Sequence, residues 1–134
     1  MAERVQPWAP HRDRVELMAC GGAWDAIKVP RFIGRGGLER LGDETGAVIE
    51  DPYGHVVYWL VLPGTADTWD LYRVDRLGTA SYLAVPPVER TEGPGVHWRV
   101  PLAPERYLTA PEALHAALVA EVNVWTGPRA VPPS

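Results

Sequence analysis

Residues 47–62 constrain the fold more than any other part of the sequence. Residues 47–50 (Ala-Val-Ile-Glu) and 55–62 are β-branched and aromatic runs, and residues 51–54 (Asp-Pro-Tyr-Gly) lie between them. Asp, Pro and Gly suit the first, second and fourth positions of a type I turn. Two strand-like runs joined by a short turn are typical of a β-hairpin. We therefore predict a hairpin here, with an antiparallel sheet built around it.

Other alternating segments predict further strands. Residues 23–29 alternate apolar and polar side chains, which predicts a half-buried strand with Trp24 facing outward. Residues 15–19 fit either a short strand or a helical turn. Further strands are predicted near residues 71–74, 80–85 and 96–100.

Two segments have a helical pattern. The first begins at Pro30 and ends at Gly42, because glycine takes the left-handed cap without strain. Its apolar face consists of Phe32, Ile33, Leu38 and Leu41. The second begins at Thr109, which has the spacing of a capping box with Glu112. Its amphipathic stripe consists of Leu114, Leu118, Glu121, Val122 and Trp125.

Few helices among strands with short connections predict an α+β fold with a mainly antiparallel sheet. The 134 residues fit one domain. We expect this domain at residues 14–126, after a flexible N-terminal arm at residues 1–13 and before a disordered, Pro-rich tail at residues 127–134.

Composition excludes several classes of protein. The formal net charge of -4 gives no strong signal for nucleic-acid binding, which needs clustered Lys and Arg. Cys20 is the single cysteine, which excludes an internal disulfide and a cysteine-based zinc cluster. Neither a membrane-spanning apolar run nor a signal-peptide pattern is present, so we expect a cytoplasmic protein without a membrane partner. Six tryptophans, each able to bury on the order of 200 Å², could supply much of the core.

Glu50 and Asp51 end the first strand of the hairpin, where catalytic or metal-binding carboxylates often lie. Neighbouring strand residues point to opposite faces, so we do not expect the two to share one ion. Asp51 also suits the turn, and we favour that role over catalysis. His55 and His97 lie on predicted strands and are candidates to meet across the sheet, although a lone strand histidine is more often a surface or hydrogen-bonded residue. The candidates for a metal site are Glu50, Asp51 and His97, and no cofactor is indicated.

Three other features are interpreted as structural. Residues 34–37 (Gly-Arg-Gly-Gly) lack the lysine of a phosphate-binding loop. Ser81 lacks the Gly-x-Ser-x-Gly pattern of a nucleophile, and Cys20 has no base in evident reach.

Residues 85–99 form the segment with the most candidate ligand contacts. Two prolines stop a strand, a loop with glycines follows, and an aromatic strand returns. Loops held at both ends are frequent binding sites. The candidate ligand-binding residues are Arg90, Thr91, His97 and Arg99 as donors to an anion, with Trp98 or Trp59 as a stacking surface. The same pattern is equally typical of a hairpin loop without a ligand.

Several segments resemble a known family. Residues 82–87 (Tyr-Leu-Ala-Val-Pro-Pro) followed by residues 93–98 (Gly-Pro-Gly-Val-His-Trp) resemble the strand–Pro-Pro–loop–Gly–aromatic signature of the bifunctional DNA primase/polymerase domain. Residues 24–30 and 46–52 are similar to segments of short primase/polymerase-like proteins of high-GC bacteria. The resemblance extends over residues 20–120.

The resemblance also indicates a difference from active members of that family. Those members carry an Asp-x-Asp pair on one strand face for two divalent metals, and a strand histidine that contacts nucleotide phosphate. The counterparts here are the adjacent Glu50 and Asp51, with His55 or His97 as the histidine. Without a two-metal site, phosphoryl transfer lacks its usual charge stabilisation. The resemblance therefore implies a shortened, non-catalytic relative.

Three functions follow as hypotheses. The first is a small non-catalytic binding or regulatory protein that holds a nucleotide-like anion or a protein partner through the Arg90–Arg99 loop. The second is a metal-dependent nucleotidyl- or phosphoryl-transfer enzyme using Glu50, Asp51 and His97. The third is a homodimer or protein–protein adaptor whose surplus tryptophans form the interface.

Overall fold

The structure, a computed structural model, describes residues 9–103 and 105–126. Within these residues, seven strands and two α-helices form one α+β domain, which confirms the predicted fold class. The strands are β1 (Glu16–Ala19), β2 (Asp25–Pro30), β3 (Val48–Asp51), β4 (Val56–Val61), β5 (Asp75–Leu77), β6 (Tyr82–Val85) and β7 (His97–Val100). The helices are α1 (Arg31–Leu41) and α2 (Pro111–Thr126), and a 3-10 turn at Gly42–Glu44 follows α1.

The strands form two antiparallel sheets. The main sheet has five strands in the order β5-β2-β4-β3-β7. The small sheet pairs β1 with β6, which settles residues 15–19 as a strand rather than a helical turn. Of the predicted arm, residues 9–13 are described and line a groove with Val88 and Glu89. Residues 1–8 and the whole predicted tail lie outside the described residues.

The predicted hairpin forms between β3 and β4. Asp51 pairs with Val56, so the connecting loop contains residues 52–55. Oδ1 of Asp51 accepts the backbone N–H of Tyr53 at 3.0 Å and of Gly54 at 3.2 Å. These bonds are the turn role that the sequence favoured for Asp51. His55, predicted to open the second strand, instead ends the turn with a left-handed φ of 58°.

The strand predicted near residues 71–74 lies farther along the chain, at β5. Residues 71–74 form a turn, in which the N–H of Val74 donates to the carbonyl of Leu71 at 3.1 Å. Arg73 has a φ of 63°, which a strand does not allow. The apolar residues that suggested a strand, including Leu71 and Val74, pack instead against the helix-side core.

Both faces of the main sheet are covered. The two helices cover one face, which includes Ile27 and Trp59. The small sheet covers the other, which includes Ala26 and Leu60. The prediction that Trp24 faces outward is therefore wrong, since its side chain is 1% exposed and packs under the small sheet. An alternating apolar and polar pattern predicts which side chains are exposed only when one face of the sheet meets water. The face on which Trp24 lies is covered by the small sheet instead.

The glycines of α1 allow close packing. A Cβ on Gly34 would lie 2.5 Å from Cγ2 of Val57, and one on Gly37 would lie 3.3 Å from both the Trp59 ring and Leu118. Residues 34–37 therefore belong to a helix pressed against β4 and α2, not to a phosphate-binding loop. The predicted stop at Gly42 is confirmed, because its N–H donates to the carbonyl of Leu38 at a φ of 55°.

The predicted capping box of the second helix does not form. Oγ1 of Thr109 accepts the backbone N–H of Gly46 at 2.8 Å, which ties the segment before α2 to the segment before β3. The predicted stripe is apolar at Leu114, Leu118 and Val122, which are buried. In the described part of the chain, neither helix is long and apolar enough to cross a membrane.

Candidate functional site

Glu50 is a buried carboxylate that gathers basic side chains at one end of the main sheet. It lies on β3, between β4 and β7, and is 7% exposed. Its Oε2 accepts a hydrogen bond from Nη1 of Arg31 and its Oε1 from Nη1 of Arg99, both at 3.1 Å. Nε2 of His97 lies 3.8 Å from the same Oε1. We call Arg31, Glu50, His55, His97 and Arg99 the Glu50 cluster.

Arg31 reaches Glu50 because α1 begins directly after β2. Pro30, the last residue of β2, pairs with Val56, which places Arg31 beside the hairpin turn. The backbone N–H of Arg31 donates to the carbonyl of His55 at 2.7 Å, and its Nη2 donates to Nδ1 of the same histidine at 3.1 Å. His55 and His97 thus belong to one cluster, joined through Arg31 and Glu50.

A bulge in β7 interrupts the pairing with β3 at Arg99, next to the cluster. Regular pairing would place Arg99 opposite Val48, but Val100 occupies that position and Arg99 is the extra residue. Val100 packs against the helix-side core, while Arg99 donates to Glu50. Arg99 shares the face of His97 by ordinary strand alternation. The bulge instead moves Val100, which would otherwise share the face of Trp98, to the helix side.

The loop before β7 fixes the orientation of His97. Nδ1 of His97 lies 2.8 Å from the backbone carbonyl of Gly95. A carbonyl only accepts hydrogen bonds, so Nδ1 carries the proton and donates it. In the neutral ring, Nε2 then presents a lone pair toward Glu50.

The cluster carries a net positive charge. Burial alone would raise the pKa of Glu50, but hydrogen bonds from Arg31 and Arg99, with the nearby charges of Arg99 and His97, hold it below its ordinary value of 4.5. Two guanidinium groups and one carboxylate leave one positive charge when both histidines are neutral. The side chains of Arg31 and Arg99 are 36% and 40% exposed, so this charge faces water. Arg35, exposed and one helical turn after Arg31, lies on the same face of α1.

The three candidate metal ligands do not converge. Glu50 and His97 lie together, whereas Asp51 lies on the other face of the sheet. Burial and then the charge of Asp51 raise the pKa of Tyr58, which packs on the small-sheet side. Within residues 9–103 and 105–126, the structure contains no group of three or more His, Cys, Asp and Glu placed to hold a metal ion.

The two tryptophans expected to offer a stacking surface are in the core. Trp59 and Trp98 are both 0% exposed. Nε1 of Trp59 donates to Oγ1 of Thr45 at 3.0 Å, and Nε1 of Trp98 donates to the carbonyls of Pro86 and Pro87 at 3.1 Å. Their rings are closed to a ligand in this structure, because the sheet has a covering layer on each side.

Arg90 and Thr91 are exposed in the loop. The carbonyl of Arg90 accepts the backbone N–H of Trp98 at 2.8 Å, which fastens the loop to the outer edge of β7. Among the described residues, neither side chain forms a hydrogen bond or an ion pair with the Glu50 cluster. Their role in binding stays a prediction from the sequence.

Arg31 is the residue that sequence reasoning missed. It stands between a strand and a helix, where no motif marks it, and it lies 19 residues from Glu50 along the chain. Only the antiparallel pairing of β2 with β4 and of β4 with β3 brings the two together.

Cys20 is structural, in line with its interpretation from the sequence. It is buried, and burial together with the charge of Asp25 raises its pKa to about 11. The thiol is therefore protonated at neutral pH, and a protonated thiol is a poor nucleophile.

Comparison of the chain with protein-family models, with curated proteins and with solved structures gave no match.

The lowered pKa of Glu50 predicts a pH-dependent contribution to stability. Above about pH 5 the carboxylate is ionised in both folded and unfolded chains, and its charged hydrogen bonds contribute about 1–2 kcal/mol, given that both arginines are partly solvated. As the pH falls from 4.5 through the lower pKa of the folded state, the unfolded chain binds the proton first and this contribution is lost. Glu50→Gln should therefore be less stable than the wild type near neutral pH, and the difference should shrink below about pH 4.

Urea unfolding followed by circular dichroism at neutral and acidic pH measures this difference. Glu39→Gln is the matched control, since Glu39 is exposed on α1 and should change stability little at any pH. A Glu50→Gln difference that stays constant down to about pH 3 would contradict the assignment.

Proposed function

We propose that this chain is a small non-catalytic binding protein whose ligand is a phosphate-class anion, such as a nucleotide-like phosphate, held at the Glu50 cluster. The observation that carries this proposal is a buried carboxylate that anchors two partly exposed arginines side by side. Glu50 uses one oxygen for each of them, at the same distance of 3.1 Å.

The chemistry of the anchored arginines favours an oxyanion. A guanidinium has five N–H donors in a planar fork, and Glu50 occupies Nη1 of each arginine. The remaining donors that face water match the oxygens of a phosphate in bidentate geometry. Because Glu50 already holds both side chains in place, little side-chain entropy remains to be lost on binding. Arg35 adds charge on the same face, which suits a dianion better than a carboxylate.

We also propose that the chain is a degenerate primase/polymerase-like module. The segments that carry that resemblance, residues 46–52 and 93–98, contribute Glu50 and His97 to the same cluster. An arginine pair then occupies the carboxylate that would otherwise be free for a metal.

The geometry does not favour the metal-dependent transfer enzyme. A divalent ion at Glu50 would have to displace arginines from both oxygens, and Asp51 is engaged with the turn on the opposite face. Ligands for such an ion must instead converge on one point.

The homodimer or adaptor keeps part of its original motivation, because Trp125 is 53% exposed. The surplus of tryptophan suggested an interface, but Trp24, Trp59 and Trp98 are all buried in the core. A protein partner and a cytoplasmic location stay predictions from the sequence.

Isothermal titration with inorganic phosphate, pyrophosphate and nucleoside mono- and triphosphates tests the anion site. We expect Arg31→Gln and Arg99→Gln each to weaken binding roughly tenfold or more, because each removes a charged hydrogen-bond donor. Arg12→Gln is the matched control, since Arg12 is exposed and lines a groove with Val88 and Glu89 that includes no residue of the cluster.

Arg90→Gln tests whether the anion binds at the cluster or at the loop. If the cluster is the site, this variant should bind as the wild type does. Loss of binding in Arg90→Gln with retention in Arg31→Gln would place the ligand at the loop and contradict the proposal. Absence of binding heat for every anion tested would refute it altogether.

A further inference from the structure

We infer that anion binding at the Glu50 cluster is coupled to proton uptake by His55 and His97, so that the site binds more tightly as the pH falls. This inference rests on the proposed function and concerns its regulation. His55 is bonded to Arg31, and His97 lies beside the Glu50 oxygen that accepts from Arg99. Protonation of either ring therefore changes the hydrogen bonds of the neighbouring arginine.

His55 in its neutral form occupies a donor of Arg31. A guanidinium only donates, so Nδ1 of His55, 3.1 Å from Nη2 of Arg31, must be the acceptor. A neutral His55 therefore carries its proton on Nε2. Proton uptake goes to Nδ1, which turns the acceptor into a donor that faces another donor. The hydrogen bond is then lost, and Nη2 of Arg31 becomes available to an anion.

His97 has the complementary arrangement. Its Nδ1 carries a proton for the carbonyl of Gly95, so a second proton goes to Nε2. That nitrogen lies 3.8 Å from Oε1 of Glu50, the oxygen that accepts from Arg99. A protonated His97 forms an ion pair with Glu50 and shares the oxygen that holds Arg99. Part of the negative charge that restrains Arg99 is thereby neutralised by the histidine.

The charged groups around the two rings are Arg31, Arg99 and Glu50, with Asp51 in the turn beside His55. His97 faces Glu50 from β3, Arg99 from its own strand and the Gly95 carbonyl from the loop. His55 faces Arg31 from α1. The carboxylate of the neighbouring Asp51 accepts from backbone N–H groups of the turn.

The charge of the cluster therefore depends on its protons. Two arginines and Glu50 give one positive charge, and protonation of both histidines gives three. Each added charge close to a dianion strengthens binding roughly tenfold at the high dielectric of a partly exposed site. Linkage is reciprocal, so a bound anion must raise the proton affinity of the histidines by the same factor.

Sulfate is the probe for the test, because it stays dianionic throughout the range in which imidazoles titrate. We expect isothermal titration to show sulfate binding roughly tenfold or more tighter near pH 5.5 than near pH 8. Titrations in two buffers with different ionisation heats should show net proton uptake on binding. The double variant with His55→Gln and His97→Gln should bind with little pH dependence and little proton uptake.

The two remaining histidines provide matched controls. His11 lies in the arm and His115 on α2, where its ring packs against Trp69, so His11→Gln and His115→Gln should keep the full pH dependence. The imidazole resonances of the wild type give a second readout that needs no variant. Sulfate should move the titration midpoints of His55 and His97 upward and leave those of His11 and His115 unchanged.

The possible outcomes separate this inference from the proposed function. Equal sulfate affinity at both pH values, or pH dependence that persists in the double variant with unchanged imidazole midpoints, overturns the coupling and leaves the anion site standing. Absence of sulfate binding at every pH overturns both. Loss of pH dependence in the His11 or His115 variant would assign the coupling to a different part of the molecule.

Discussion

Trp59→Ala should lower the free energy of unfolding by about 3–5 kcal/mol, the usual cost of truncating a buried tryptophan. Its ring is 0% exposed and lies beneath the glycines of α1, 3.3 Å from the Cβ position of Gly37. Truncation would leave a cavity between the main sheet and both helices. It would also remove the hydrogen bond to Thr45, which fixes the segment before β3. Urea unfolding followed by far-ultraviolet circular dichroism measures the effect without relying on tryptophan emission.

Trp125→Ala is the control for that experiment. Trp125 is 53% exposed near the end of α2, where its ring meets Phe32 edge-on at 4.8 Å. We expect a loss of about 1 kcal/mol or less, because much of its surface is already in water. Equal losses at the two positions would contradict the division into core and surface tryptophans.

Gly34→Ala should destabilise the protein by about 2 kcal/mol, although alanine is the better helix former by about 1 kcal/mol. The new methyl group would lie 2.5 Å from Cγ2 of Val57, a buried side chain on a central strand. Either α1 must move away from β4 or Val57 must leave its rotamer. The free-energy cost of this strain is larger than the stabilisation from the higher helix propensity of alanine.

Gly36→Ala provides the comparison within the same helix. A Cβ there would meet the carboxylate of Glu121, the far end of a flexible side chain that pairs with Arg40. We expect a change of about 1 kcal/mol or less, since the flexible Glu121 side chain can rotate away at the cost of a partly exposed ion pair with Arg40. A stabilised Gly34→Ala in urea unfolding would show that α1 packs less closely than the structure indicates.

The sequence predicted those parts of the fold whose signals are local. The turn at Asp51, the stop at Gly42 and the apolar stripe of α2 depend on residues near one another in the chain, and each appears in the structure. The capping box at Thr109 is also a local signal, yet it failed. Gly46, more than sixty residues away, supplies the N–H that the Thr109 hydroxyl accepts.

The sequence could not predict the burial of side chains that depends on how the sheets and helices pack together. The alternation at residues 23–29 is typical of a half-exposed strand, but the small sheet buries Trp24. Trp59, predicted to offer a stacking surface, is buried beneath the helices. The candidate site was predicted in part. Glu50, His97 and Arg99 were named, and the expectation that Glu50 and Asp51 point to opposite faces agrees with the structure. Arg31 was not named, because no pattern connects the start of a helix with a carboxylate two strands away.

The partners of Glu50 come from distant parts of the chain, Arg31 from 19 residues before it and Arg99 from 49 residues after it. No short fragment contains the cluster, so an unfolded chain has almost no affinity for whatever the cluster binds. A ligand of this site therefore binds the folded chain alone and stabilises it by mass action. At a hundredfold excess over its dissociation constant it would add about 2.7 kcal/mol to the folding equilibrium. Thermal melting in the presence of candidate anions could then reveal the ligand before any function is assayed.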